Sequence, residues 1–375
     1  MAATKGWLAR LWRALRSVAA HLPGVLGGLL AASGARAVDL PEDRVEGLVH
    51  LYTGGGVTAS GPALLVRKSL TDRVSLTGSY YVDAVSNASI DVVSTASPFR
   101  EQRTEYSVGV DYVYRDAQIT LGMSSSTEPD YTARGLSMDV TQEVFGGMTT
   151  VSMGYTHASD TVAKHGDPTF ADVAKHWQYR LGATQILTPR WLMSANLEIV
   201  SDDGYLGSPY RAARVFGATV LERNPRTRSS RALKLRAIGD LGSRNAVRAE
   251  YRYFWDNWDI KAHTAELGYS RYFGDLVLAD AFVRLYSQQH ALFYSDDAPS
   301  ETLYVSRNRQ LSTFNSLGLG AKMSYTWKRV PGKYEVKANG SYELMQFRFK
   351  DFTDRSGSPY SFNANILQLY VTATF

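Results

Sequence analysis

The sequence predicts an all-β protein: an antiparallel transmembrane β-barrel of about 16 strands, with 14 to 18 possible, preceded by a cleaved signal peptide. Three observations lead to this prediction. Segments of about ten residues alternate apolar and polar side chains, which is typical of strands with one face against lipid. Tyr (23), Phe (14) and Gly (31) are abundant, and aromatic residues favour strands while glycine favours turns. The connections alternate between short and long, as expected for barrel turns and outer loops.

The first 37 residues have the pattern of a secretory signal peptide. Basic residues between Lys5 and Arg16 are followed by an apolar stretch, Val18–Ser33, and "ARA" places the cleavage between Ala37 and Val38. The alternative is a membrane anchor, but the apolar stretch is short and contains histidine, proline and glycine. We therefore expect residues 1–37 to be the signal peptide and residues 38–375 to be the barrel.

Removing the signal peptide changes the charge balance. Residues 1–37 contain five of the 41 basic residues and none of the 36 acidic residues, so residues 38–375 have a formal net charge of zero. No nucleic-acid partner is therefore expected. The chain contains no cysteine, so disulfides and thiolate metal sites are excluded.

The strands are predicted from their period of two. In "TEYSVGVDYVY" (104–114) and "RWLMSANLEIV" (190–200), every second residue is apolar and most of the residues between are small or polar. The predicted strands lie near 45–53, 62–69, 74–84, 104–114, 117–125, 134–143, 149–157, 176–187, 190–200, 232–240, 246–255, 261–272, 277–287, 312–327, 334–347 and 363–375. Residues 201–231 could contain another hairpin. The stretches "TGGGVT" (53–58) and "LGLGAK" (317–322) lack phosphate-loop spacing, and we interpret them as a turn and a strand with small inward residues.

The C-terminal strand "LQLYVTATF" (367–375) is predicted to close the ring with Leu369, Val371 and Phe375 facing lipid. These three residues resemble the C-terminal signal that the bacterial barrel-assembly machinery reads. The predicted location is the bacterial outer membrane, in contact with its lipid and lipopolysaccharide.

The chain resembles a family of Gram-negative outer-membrane proteins known only as a domain of unknown function. The resemblance covers about residues 45–375 and is carried by "LYTGGGVTASGPALLVRKSLTDRVSLTGSYYVDAVSNASIDVVSTASP" (51–98), "GYLGSPYR" (204–211), "ERNPRTRSS" (222–230) and "YRYFWDNWDIKAHTAELGYSRYFGD" (251–275). It implies a barrel fold and no known catalytic residue. Because the family is often encoded near small lipoproteins and periplasmic redox or flavin-attachment proteins, it also implies such a partner.

The inward face of the predicted strands carries charges of both signs. The candidate lumen charges are Asp111, Asp139, Glu198, Lys234, Arg236, Arg248, Arg252 and Arg284. Inward charges on strands 3 to 9 are mostly acidic, whereas later strands are mixed, and opposed walls would produce a field across the lumen. The alternative is that these charges pair along neighbouring strands and stiffen the wall.

A constriction would have to come from an outer loop, since few residues precede the first strand. The loop 201–231 is the candidate, with Asp202 and Asp203 followed by Arg226 and Arg228. Its arginines could instead bind lipopolysaccharide at the rim. Acidic pairs in "SDDG" (201–204), "DNWD" (256–259) and "SDDA" (295–298) supply the oxygen ligands that Ca²⁺ prefers, without the spacing of a recognised calcium loop.

The function expected from these features is a pore or passage for polar solutes, or a partner-linked export or import route. A structural scaffold that anchors a lipoprotein or a periplasmic redox partner is the alternative, and an outer-membrane hydrolase is a minor one. No catalytic, metal or cofactor site follows from the spacing of the histidines and acidic residues, so we expect no enzyme activity and no cofactor.

Overall fold

Sixteen antiparallel strands close into a barrel in the computed structural model, which describes residues 38–87 and 99–375. The predicted signal peptide lies outside the described residues, so its cleavage stays a prediction. The strands are β1 Arg44–Gly54, β2 Val57–Thr71, β3 Val74–Asn87, β4 Phe99–Tyr114, β5 Ala117–Thr127, β6 Tyr131–Val144, β7 Thr149–Ala163, β8 Ala171–Thr188, β9 Trp191–Gly204, β10 Ala212–Val215, β11 Ala218–Leu221, β12 Thr227–Gly242, β13 Asn245–Asp256, β14 Lys261–Phe273, β15 Val277–Gln288, β16 Phe314–Val330, β17 Tyr334–Thr353 and β18 Pro359–Thr374. Short 3₁₀ helices span Phe145–Gly147 and Arg309–Leu311.

The order of strands around the ring follows the chain, and β1 closes it by pairing with β18. This confirms the predicted sixteen strands. The exceptions to the ring are β10 and β11, which form a separate hairpin between β9 and β12. The predicted loop 201–231 therefore does contain another hairpin, but it adds no strand to the wall.

The two ends of the barrel differ. One end, the turn end, has short connections such as 115–116, 189–190 and 243–244, together with the start of β1 and the end of β18. The other end, the loop end, has the long connections 205–226 and 289–313 and also the two-residue turn of Gly55 and Gly56. Both glycines have positive φ, 57° and 81°, which explains why "TGGGVT" forms a tight turn.

The outer face of the barrel is apolar. Alternate large side chains are exposed there, such as Leu64 and Val66 in β2 and Leu367, Leu369 and Val371 in β18. A continuous apolar surface of this kind is unfavourable in water but matches hydrocarbon, where a closed sheet also pairs its backbone groups. The protein is thus a transmembrane β-barrel. Within residues 38–87 and 99–375, no helix is both long enough and apolar enough to span a membrane.

The predicted terminal signal residues lie on this outer face. Leu369, Val371 and Phe375 are 55%, 48% and 50% exposed. The Phe375 amide donates to the carbonyl of Asp43 at 3.0 Å, and Lys68 Nζ lies 5.1 Å from the centre of the Phe375 ring. The lipid-facing arrangement is as predicted, while recognition by the assembly machinery stays a prediction.

Candidate functional site

The inward side chains line a lumen with two contrasting walls. We call the inward residues of β12–β17 the ladder wall, because long charged side chains run across its centre. The inward residues of β3–β7 form the hydroxyl wall, which carries small side chains. Its members include Ser75, Thr77, Ser79, Ser107, Gly109, Thr120, Gly122, Ser124, Ser126, Gly135 and Ser137. The two walls occupy opposite sides of the ring.

The centre of the ladder wall is a series of ion pairs that connects several strands. Arg248 lies 3.0 Å from Glu266 and 3.5 Å from Asp280. Arg284 contacts Glu266 at 2.9 Å and Glu343 at 2.8 Å. Each arginine therefore joins two carboxylates, and β13, β14, β15 and β17 are tied together.

Glycines make these long contacts possible. Arg284 is in β15 and Glu343 is in β17, so their side chains meet above the intervening β16. Gly318 of β16 is the register partner of Arg284, and a Cβ there would lie 2.9 Å from Glu343 Oε1. The small inward residues predicted for "LGLGAK" (317–322) are thus present, and they leave room for the ion pair.

The series of ion pairs continues towards β9 at the edge of the ladder wall. Lys234 lies 2.9 Å from Glu250, with Arg236 on the same carboxylate at 4.0 Å, and Arg252 reaches Glu198 at 3.6 Å. On this side of the barrel, the basic and acidic side chains of the lumen are therefore paired with one another.

Carboxylates on the hydroxyl wall are satisfied differently. Asp111 accepts hydrogen bonds from Ser75 at 3.0 Å, Gln118 at 3.1 Å and Thr120 at 2.6 Å, while Arg67 is 4.0 Å away. Hydrogen bonds from nearby hydroxyl and amide groups thus stabilise the Asp111 carboxylate, in place of a second cation.

One ion pair bounds this wall on the β8 side. Arg180 of β8 donates to Asp139 of β6 at 2.8 Å and 3.0 Å. Gly154 of β7 lies between them, and a Cβ at this position would come within 2.2 Å of Asp139 Oδ1.

All eight predicted lumen charges face inward, and each has an oppositely charged partner within 4.0 Å on a nearby strand. The structure therefore follows the alternative stated above, in which the charges pair along the wall. Opposed acidic and basic walls with a field between them are not present among these residues.

A cavity of about 510 Å³ lies against the ladder wall. The charged groups that line it are Arg248, Glu266, Asp280, Arg284, Lys322 and Glu343. Phe282 and Ile366 contribute apolar surface, and Ser341 and Gln368 contribute hydrogen-bonding groups. Its formal charge is balanced, because three cations face three carboxylates.

At the loop end, the loop 289–313 folds over the inner face of the barrel. Phe349 of β17 points inward and yet is only 6% exposed, because Tyr294 and Leu311 of the loop pack on it. The Tyr294 hydroxyl donates to the Asp351 carbonyl at 3.0 Å. The loop therefore narrows the lumen on the side of β15–β18.

Inward aromatic rings support this loop from below. Phe347 and Phe362 stack with ring centres 4.7 Å apart, and Phe314 lies 5.1 Å from Phe349. Arg309 of the loop donates to the Gly55 carbonyl at 3.1 Å and lies over the Phe362 ring. The contact with Gly55 extends the loop as far as the β1–β2 turn.

The loop 205–226 packs against the loop 289–313. Arg223 and Val305 exchange two backbone hydrogen bonds of 2.9 Å. The Ser306 hydroxyl donates to the Glu222 carboxylate, whose other oxygen is buried without a hydrogen-bond partner. Burial raises the pKa of the Glu222 carboxyl above its ordinary value. The two loops thus form one packed body at the loop end.

The predicted constriction residues are not gathered in this body. Asp202 and Asp203 belong to β9 and Arg228 to β12, because both strands extend further than predicted; Arg226 alone is in the loop.

Their partners are local. Asp202 contacts His176 at 2.7 Å, Arg226 contacts Asp172 at 2.7 Å and Arg228 contacts Asp256 at 2.7 Å. The loop 289–313 provides the inward contacts instead.

The acidic stretches proposed for cations serve other roles. Asp256 accepts from the amides of Trp258 and Ile260 at 3.0 Å and 2.8 Å, which closes the β13–β14 turn. Asp296 pairs with Arg307 at 2.7 Å, and Asp297 accepts from the Gly217 amide at 2.9 Å. These carboxylates hold turns and loops together.

A different acidic group was missed. Glu101, Glu128 and Asp130 can place one oxygen each within 4.8 Å of one another. Burial raises the pKa of the Glu128 carboxyl, and the charge of Asp130 adds to this. The three residues come from two separated segments, so no local sequence signal could have grouped them.

A comparison with known families decides the relationship of the chain. Residues 45–176 and 168–346 match the family described as "Protein of unknown function (DUF3570)". The chain belongs to this family. The earlier resemblance to an uncharacterised family is thereby confirmed. A search of curated proteins found no match.

Solved structures similar to this DUF3570 protein include two siderophore receptors and an outer-membrane protein. The siderophore receptor PirA from Pseudomonas aeruginosa is 12% identical with a TM-score of 0.45, over 84% of this chain and 60% of that chain. PirA from Acinetobacter baumannii is 10% identical with a TM-score of 0.47, over 87% and 58%. The chain thus spans about 60% of the length of these receptors. OmpT from Vibrio cholerae, folded in vitro, is 9% identical with a TM-score of 0.47, over 91% and 100%.

Proposed function

We propose that this protein is an outer-membrane β-barrel that provides a passage for small polar solutes. The observation that carries the proposal is the ladder wall, a run of charges of both signs exposed to the lumen of a closed sixteen-strand barrel. Barrels of this size can hold an aqueous channel. A wall with balanced charge offers partners to either end of a polar solute without attracting ions of one sign.

The packed loops regulate entry in this proposal. The loop 289–313 covers inward aromatic rings at the loop end, so solute enters beside it, along the hydroxyl wall, or when it moves.

Planar lipid bilayers test the passage. We expect stepwise currents from the purified barrel, and larger ones from a variant in which residues 292–306 are replaced by a short Gly-Ser linker. The control is a migration shift between boiled and unboiled samples on a detergent gel, which shows that both proteins are folded barrels. Silence of both folded proteins would refute the passage, whereas current from the shortened variant alone would support a loop-controlled entrance.

A scaffold is the second candidate function, favoured by the packed body of the loops 205–226 and 289–313. In that case the lumen stays closed and the barrel anchors a lipoprotein or a periplasmic redox protein. Silent bilayers together with co-purification of such a partner from native membranes would favour the scaffold over the passage.

A further inference from the structure

We infer that the cavity on the ladder wall is a subsite for small hydroxylated carboxylates, with Lys322 binding the carboxylate. This inference names the solute class for the passage proposed above and rests on it. Lys322 Nζ has no carboxylate within 4.0 Å, whereas every other lumen-facing Lys or Arg of β12–β17 in the described chain has one.

The pairing of the two arginines explains why Lys322 is the anion site. Arg248 is shared between Glu266 and Asp280, and Arg284 between Glu266 and Glu343. A solute carboxylate at either guanidinium would have to displace a carboxylate that is already in place. At Lys322 it meets a cation that lies over the Tyr370 ring, with Nζ 5.4 Å from the ring centre.

Groups beside Lys322 can complete the recognition of a carboxylate. Ser341 is the register partner of Lys322 on β17, and Gln368 is the partner of Ser341 on β18. The Ser341 hydroxyl donates to Gln368 Oε1 at 3.2 Å, which leaves the Gln368 amide NH₂ to donate to a bound anion. A cation, a hydroxyl and an amide thus lie in one row across three strands.

The remaining surface favours a solute that also carries hydroxyl groups. Asp280 is the register partner of Lys322 on the other side, and Glu343 lies in the next row of the cavity. Their carboxylates accept hydrogen bonds from hydroxyls but repel a second anionic group. The Phe282 ring packs directly on Gly320, where a Cβ would lie 2.2 Å from the ring. It thus provides an apolar surface between the polar groups of the cavity. A monocarboxylate with several hydroxyls fits this combination better than a dianion, a cation or an apolar acid.

Gluconate is a suitable probe, and the matched compounds are sorbitol, which lacks the carboxylate, and glucamine, which carries an amine instead. We expect calorimetric titration of the detergent-solubilised barrel to show binding of gluconate and much weaker binding of the other two. Lys322→Gln should weaken gluconate binding at least tenfold, about 1.4 kcal/mol, while Lys322→Arg should retain most of it. The matched control is Lys337→Gln, a lumen cation on the neighbouring strand that pairs with Glu335 at 2.6 Å and does not line the cavity.

The outcomes separate the subsite from the passage. Equal gluconate affinity of the wild type and Lys322→Gln would overturn the subsite, as would tighter binding of glucamine. Current without gluconate binding would overturn the subsite and leave the passage. Gluconate binding that depends on Lys322 in a barrel that never conducts would retain the subsite and refute the passage. The gel shift on boiling verifies that each variant is folded.

Discussion

The two walls of the lumen stabilise their charged side chains in different ways. On the hydroxyl wall, Asp111 of β4 accepts hydrogen bonds from Ser75, Gln118 and Thr120 on the two adjacent strands. On the ladder wall, Arg284 pairs with Glu266 on the adjacent strand and reaches past β16 to Glu343. The first solution needs small polar residues and leaves space, and the second fills space with long side chains. The lumen is therefore expected to be wider beside the hydroxyl wall and more selective beside the ladder wall.

Removing the central cation of the ladder wall should have the largest effect. Arg284→Met leaves Glu343 without its cation, and the side chains of Glu266 and Glu343 are only 12% and 14% exposed. We expect a loss of about 1–3 kcal/mol in the free energy of unfolding, below the full cost of a buried pair because the lumen admits solvent. Urea unfolding in micelles measures it. We also expect the conductance to become cation-selective, which reversal potentials in a salt gradient measure.

Arg180→Met is the matched control on the other wall. Its partner Asp139 is 42% exposed, so the loss should stay below about 1 kcal/mol. Equal losses from the two variants would contradict the distinction between the walls.

The glycine beneath an ion pair provides a second comparison. Gly154→Val places a side chain between Asp139 and Arg180, so we expect it to cost about 0.5–1.5 kcal/mol. Gly109→Val is the control, because a Cβ at Gly109 has its nearest neighbour at an ordinary 3.6 Å. Urea unfolding of both variants measures the difference.

A double-mutant cycle makes the cause explicit. If Gly154 serves to let the ion pair cross β7, Arg180→Met should cost less in the Gly154→Val background than in the wild type. Additive losses would show that the glycine matters for another reason.

These contacts show what the sequence could and could not predict. The period of two predicted the strands, their number and the inward position of Arg248 and Arg284, because alternation along one strand is a local property. The partners of Arg284 were not predictable in the same way. They depend on the register of neighbouring strands and on Gly318, whose missing side chain acts on residues distant in sequence.

The loop 289–313 was missed for a similar reason. Its apolar residues Leu292, Phe293 and Tyr294 had a signal, since an outer loop in water has little use for them. A second signal was the inward position of Phe347 and Phe349, which contradicts a fully polar lumen. Neither signal was sufficient alone, because the loop 289–313 covers rings that lie about fifty residues further along the chain.

The acid dependence of the loop body gives the last and smallest predicted effect. Burial raises the pKa of Glu222, so the protonated carboxyl is favoured in the packed loops. Its contribution to loop packing is therefore complete below the ordinary pKa of a carboxyl and is lost as the pH rises through the raised value. We expect Trp258 of the β13–β14 turn, which packs against Phe293 and Tyr294 of this body, to become modestly more accessible to acrylamide quenching over that range.

Glu222→Gln should abolish this pH dependence, because the amide stays uncharged. Glu301→Gln is the control, since the Glu301 side chain is 78% exposed in the same loop body and should change nothing. Conductance that rises with pH in the wild type but not in Glu222→Gln would show that the loops covering β15–β18 control the entry of solute. If quenching changes while conductance does not, solute already passes beside the hydroxyl wall and the loops do not control entry.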